Sequence, residues 1–208
     1  VPHVRQLRSW DCGLACVSMV LRALGIESCN LKTLSQLCRN TSIWTVDLAY
    51  LLRHFSVDVA FLTITLGANP LLAVESFYKD NMEADEKRVN KLFEKAPQAG
   101  IQIQWRSISG EELAMLILSG RYLAIALVDK HKLRYFLFSN SEYLLRASPG
   151  DVDFAGHYVV ICGYDLETNE FEIKDPSSSS CSDKLPLEAL DEARKSFGTD
   201  EDILLVSQ

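Results

Sequence analysis

The chain has 208 residues, 48% of them hydrophobic, with only 10 glycines and 6 prolines, so it can bury one substantial core and is read as a single domain over residues 1–208. A net charge of -7 without any basic stripe argues against nucleic acid as a partner. No apolar run approaches the roughly 18 residues of a membrane span, and the start has neither the basic-then-apolar pattern of a signal peptide nor an initiator Met. A cytosolic or nuclear protein without membrane association is expected. The six cysteines (12, 16, 29, 38, 162 and 181) are too scattered for a disulfide scaffold, so reduced thiols are expected. No CxxC or HExxH occurs, which weighs against a structural metal.

Over residues 12–24 apolar side chains recur every three or four positions (Leu14, Val17, Leu21, Leu24), and Gly25 follows as a terminating glycine. This predicts one long buried helix. Two shorter helices follow, at 31–37 behind Asn30 as N-cap and at 45–55 with Leu48, Leu51 and Leu52 on its apolar face. The pattern then changes to strand alternation at 57–65 ("VDVAFLTIT") and 101–105 ("IQIQW"), separated by a charged amphipathic helix at 81–96 with its Glu and Lys in solvent. Ser109 and Glu112 form a capping box for a helix ending at Gly120, and 121–128 reads as a buried strand.

Residues 130–151 show no clean period and read as an irregular excursion. Residues 158–164 and 170–174 then form two strands of a hairpin turning at Asn169, followed by a Ser-rich loop, a helix over 187–197 and a strand over 203–206. Helices first and then an antiparallel sheet is an α+β pattern.

The chemistry is concentrated in "QLRSWDCGLAC", residues 6–16. Cys12 stands at a helix N-terminus, where unpaired backbone N–H groups favour a thiolate, while Cys16 one turn deeper belongs to the core. A thiol nucleophile needs an imidazole to carry its proton and a third group to orient that imidazole. His157 begins the most hydrophobic strand and Asp175 ends the next one, so a hairpin brings them side by side. His3, His54 and His131 lack such a context. Gln6 can donate a carboxamide hydrogen bond to a developing oxyanion beside the backbone N–H of Cys12. Asp11 opposes a neighbouring thiolate, so its carboxylate is expected to turn away and cap the helix amides.

The order Gln, Asp-Cys-Gly, His, Asp-Pro resembles the papain-like cysteine peptidases, and most closely their bacteriocin-processing branch. That resemblance implies a papain-like cysteine proteinase fold, with N-terminal helices packed on an antiparallel sheet. It also implies Gln6 in the oxyanion hole, Cys12 as nucleophile, His157 as general base and acid, and Asp175 as its orienter. A second resemblance runs nearly the whole chain. The segments "WDCGLACVSMVLRALGI", "SIWTVDLAYLL", "TITLGANP", "GHYVVICGYD" and "SFGTDEDILL" resemble the plant guanylyl cyclase 1 proteins and their animal relatives.

This second likeness implies conversion of GTP to cyclic GMP and pyrophosphate with Mg²⁺ or Mn²⁺ as cofactor, and sets that as the expected activity. A cysteine peptidase or amide hydrolase, acting on a peptide and needing no cofactor, is the alternative. A cyclase ordinarily needs carboxylates around metal ions or a glycine-rich phosphate cradle, and the chain has neither GxxxxGK[ST] nor GxGxxG. Its acidic runs at 83–86 and 200–202 read as a solvated helix face and as the cap of the last strand.

Overall fold

The computed structural model describes residues 1–27, 29–69, 82–138 and 154–208. In chain order the elements are α1 (Cys12–Ala23), α2 (Leu31–Cys38), α3 (Thr45–His54), β1 (Val59–Thr63), α4 (Met82–Lys95) and β2 (Gln102–Trp105). Then come α5 (Gly110–Leu118), β3 (Tyr122–Asp129), α6 (Lys130–Phe138), β4 (Gly156–Asp165), β5 (Glu170–Lys174), β6 (Asp183–Pro186), α7 (Leu187–Arg194) and β7 (Ile203–Ser207).

The seven strands form one sheet in the order β2-β1-β7-β3-β4-β5-β6. Every pair is antiparallel except the edge pair, where β1 and β2 run parallel. The all-antiparallel expectation is corrected there: β1 reaches β2 through α4, and a helical crossover returns the chain in the same direction.

Alternation along the central strands divides the core in two. On β3 the side chains of Leu123, Ile125 and Leu127 face the cluster built with α1 and α3, while Ala124, Ala126 and Val128 face the cluster that includes α5 and α7. On β4, Tyr158 and Val160 join the first cluster and Val159 and Ile161 the second. Helices therefore cover both faces of the sheet, and β3 is buried on both sides, as its unbroken apolar run requires.

The helix signals act locally as read. Asn30 accepts from the Thr33 backbone N–H at 2.9 Å, and Gly25 adopts φ +80° beyond the end of α1. Ser109 caps α5 by accepting from the Glu112 N–H at 3.1 Å, but the Glu112 carboxylate pairs with Arg106 rather than closing a box.

Two further expectations are corrected. The stretch after residue 130 begins with α6, whose Leu133 is buried, before passing outside the described residues at 139–153. In α4 the acidic run is not wholly solvated. Asp85 is buried, accepting from the Trp44 Nε1–H at 3.0 Å and pairing with Arg88, which also pairs with Asp47 of α3. The carboxylate is tolerated because donors surround it, and they fasten α4 to α3.

Candidate active site

The site lies where the N-terminus of α1 meets the adjoining ends of β4 and β5. Cys12 is the first residue of α1, so the positive end of the helix faces its sulfur. Gly13 explains how the helix gets so close to the sheet: a Cβ there would lie 2.9 Å from Leu48 Cδ1 and 3.1 Å from Tyr158 Cδ2. The glycine is a close-approach residue that lets Cys12 reach His157.

Asp11 departs from expectation. Its carboxylate does turn from Cys12, but backwards, accepting from the backbone N–H of Leu7 at 3.1 Å and of Arg8 at 3.0 Å, with no side-chain bond to the helix amides. The turn amides thus take the carboxylate, while the backbone N–H groups of Gly13 and Tyr158 bond to the thiol.

His157 is 1% exposed, and its Nε2–H donates to Asp175 Oδ1 at 2.7 Å. Its other nitrogen, Nδ1, is left for Cys12, with which the ring is hydrogen-bonded. Burial acts to lower the imidazole pKa, but the bonds to Asp175 and Cys12 and their charges win, raising it to about 8. Asp175 is likewise buried; burial pushes its carboxyl up, and His157 with Ser177 overcomes this to hold it at about 2. Ser177 contributes its N–H to Oδ1 at 2.7 Å and its hydroxyl to Oδ2 at 3.0 Å.

For Cys12, burial raises the thiol pKa. The bond to His157, its charge, and backbone hydrogen bonds from Tyr158 and Gly13 together bring it below the ordinary value of 9.0. Cys16 is its counterexample on the same helix: fully buried, facing the negative charges of Cys12 and Asp175, its thiol is pushed well up. The two thiols, one turn apart, are shifted in opposite directions.

The sequence therefore places Cys12, His157 and Asp175 together, as the structure has them. Gln6 comes to the same corner, since its backbone N–H donates to Pro176 O at 2.9 Å, one residue from Asp175. Its Nε2 donates to Arg8 O at 2.7 Å, and its Oε1 is buried without a partner. A carboxamide has two N–H donors, so one remains. Two supporting residues escape sequence reading. Ser177 carried a usable signal, because Ser two residues after Asp is a turn pattern. His3, whose Nε2–H donates to the Asp175 carbonyl at 2.8 Å, carried none.

A cofactor must also be tested against the residues. Among the described residues no group of three or more His, Cys, Asp or Glu could hold a metal ion. The best acidic pair, Asp200 and Asp202, lines an enclosure of about 10 Å³ with Thr45, Leu127 and Tyr158, enough for a single water. Burial raises the Asp202 carboxyl well above its ordinary value, against hydrogen bonds from Thr45 and Thr63, and the space beside it is too small for a hydrated cation carrying a triphosphate. Asp200 Oδ1 is occupied by Thr65 and Asn69. These residues do not fit a magnesium triphosphate site.

The architecture defines a fold class: the chain has the papain-like fold found in C39-like peptidases. A solved structure from Bacillus anthracis described as a C39-like peptidase superposes with a TM-score of 0.59 at 14% identity, over 100% of this chain and 94% of that one. The particular family comes from sequence. Residues 1–206 match the guanylylate cyclase family, and the chain belongs to it. Arabidopsis thaliana guanylyl cyclase 1 is 54% identical over 208 residues, spanning 100% of this chain and 75% of that protein.

Proposed function

We propose that the protein is a thiol-dependent hydrolase of amide or ester bonds, with Cys12 as nucleophile, His157 as general base and acid, and Asp175 as the group that orients His157. The observation that carries this reading is the buried His157 bonded to Cys12 on one side and Asp175 on the other. The Cys12 sulfur attacks the acyl carbon, forming a C–S bond. His157 holds the thiol proton and delivers it to the leaving nitrogen or oxygen as the acyl C–N or C–O bond breaks, leaving a thioester. Water, giving a proton back to His157, then attacks the thioester; the acid leaves and the thiol is restored. The backbone N–H of Cys12 and the free amide hydrogen of Gln6 serve the oxyanion.

A second reading is favoured by the family match over residues 1–206 and by the name of the 54% identical relative: cyclisation of GTP to cyclic GMP and pyrophosphate. It would take GTP as substrate and Mg²⁺ or Mn²⁺ as cofactor, and the acidic residues described above give that metal no fitting seat. Both readings suit a cytoplasmic or nuclear protein free of nucleic acid; no described helix is long and apolar enough to cross a membrane.

The test is a side-by-side assay of wild type and Cys12→Ala for peptide hydrolysis and for cyclic GMP from GTP with magnesium or manganese. The hydrolase reading expects peptide turnover in wild type only and no cyclic GMP from either. Cyclic GMP formed equally by both proteins, without peptide turnover, overturns it in favour of a cyclase site away from the thiol.

A further inference from the structure

Directly before the nucleophile, the turn 7–11 and the start of α2 enclose a groove of about 210 Å³ lined by Leu7, Arg8, Trp10, Asp11, Leu31 and Lys32, among others. Its wall includes Asp11, the residue that precedes Cys12 in the chain. Leu7 is 78% exposed, a large apolar side chain with no cover of its own.

The turn is set in advance. The Asp11 carboxylate holds the Leu7 and Arg8 amides, and the Arg8 guanidinium stands 5.7 Å over the Trp10 ring. A wall already ordered loses little entropy on binding, which makes it suited to recognition. Its charge is unlike that of the molecule. In a chain of net charge -7, Arg8 and Lys32 face the groove, and among the described residues neither is held in an ion pair. The one opposing charge, Asp11, is 4% exposed and turned to the loop amides.

We infer that this groove receives the part of the substrate beside the scissile bond, and that this part is a peptide segment carrying an acidic side chain next to an apolar one. Leu7, Trp10 and Leu31 take the apolar group, and Arg8 and Lys32 the carboxylate. The size favours side chains over a nucleotide, since pockets that enclose a ligand of drug size run from about 300 Å³ upward. The inference rests on the hydrolase reading, and its test separates the two.

Fluorescent peptides in matched pairs, Glu or Lys next to Leu or Phe, are titrated by polarisation into the inert Cys12→Ala protein and assayed for cleavage by wild type. The Glu peptides should bind about tenfold tighter than the Lys peptides, the size of two exposed charge contacts. Adding Arg8→Glu and Lys32→Glu, both on exposed side chains, should reverse that order. Such a reversal supports the groove even if wild type cleaves no peptide, in which case the hydrolase reading alone fails. Equal binding of both peptides, or a preference that survives charge reversal, overturns the groove while leaving any observed hydrolysis intact. Displacement of the Glu peptides by GTP with magnesium, lost on charge reversal, overturns the peptide assignment in favour of a nucleotide.

Discussion

His157 Nε2 stands 2.7 Å from Asp175 Oδ1, and the two side chains are 2% and 6% exposed. A carboxylate so placed fixes the ring plane and directs the other nitrogen at Cys12. It also stabilises the imidazolium that forms when the thiol gives up its proton.

Asp175→Ala should therefore slow alkylation of Cys12 by iodoacetamide at neutral pH by about tenfold or more, equivalent to about 1.4 kcal/mol of lost ion-pair stabilisation. It should also lower stability by about 2 kcal/mol, because His157 is left buried without its partner. Asp175→Asn keeps an acceptor at that position and should lose less of both. Mass spectrometry of the labelled peptide checks the rate; unchanged labelling in Asp175→Ala would remove Asp175 from the site.

The same pair sets a pH dependence. His157 is raised from 6.5 to about 8, so its contribution to stability is complete below pH 6.5 and disappears as the pH rises through 8. Asp175 is lowered from 3.8 to about 2, so its contribution is present above pH 3.8 and disappears as the pH falls through 2. Cys12, lowered from 9.0, adds stability on the alkaline side and offsets part of the His157 loss. Urea unfolding between pH 6 and 9 should show a decline of less than about 2 kcal/mol. His157→Gln, which cannot titrate, should flatten it. A wild-type profile that is already flat, or that rises, would contradict the shift.

Gly13→Ala tests how closely α1 must approach the sheet. The new Cβ would meet Leu48 Cδ1 at 2.9 Å and Tyr158 Cδ2 at 3.1 Å, both on fully packed side chains. Overpacking of this kind costs about 1–3 kcal/mol, and for a chain of this size about 2–4 °C of melting temperature per kcal/mol. The displaced helix start should also move Cys12 from His157 and slow its alkylation. Calorimetry and labelling together separate the outcomes: a normal melting temperature with normal labelling would mean that the helix has room to shift.

What could be read from the sequence was mostly local. The apolar spacing of α1 with Gly25 behind it, the Asn30 cap and the β4–β5 hairpin each depend on neighbours in the chain, and the hairpin carried His157 and Asp175 to one place. The insertion of β7 between β1 and β3 depends on partners 77 to 85 residues away on β3 and 141 to 147 on β1, which periodicity cannot report. β6 is four residues long and ends in Pro186, too short to show alternation. Asp85 looked solvated because its own helix is charged; its donors Ser42 and Trp44 lie more than forty residues earlier. Asp11 had two sets of amides within reach, and only the folded turn decides between them.

The last prediction sets activation against exposure. Cys181 is the exposed thiol of the six, in the Ser-rich loop, while Cys12 is 6% exposed but holds its proton less tightly than an ordinary thiol. Alkylation rate depends on the thiolate fraction and on access, so the two residues should exchange rank with the size of the reagent. Iodoacetamide, small and uncharged, should label Cys12 first near neutral pH. A bulky maleimide, kept out by the surrounding side chains, should label Cys181 first. Cys16, Cys38 and Cys162, whose thiols burial pushes up, should lag with both. In His157→Ala the thiolate loses its counter-charge while the exposure of Cys181 is untouched, so iodoacetamide should now prefer Cys181 as well. If Cys181 leads with both reagents in wild type, or if His157→Ala leaves Cys12 ahead, the thiol and imidazole do not act as a pair.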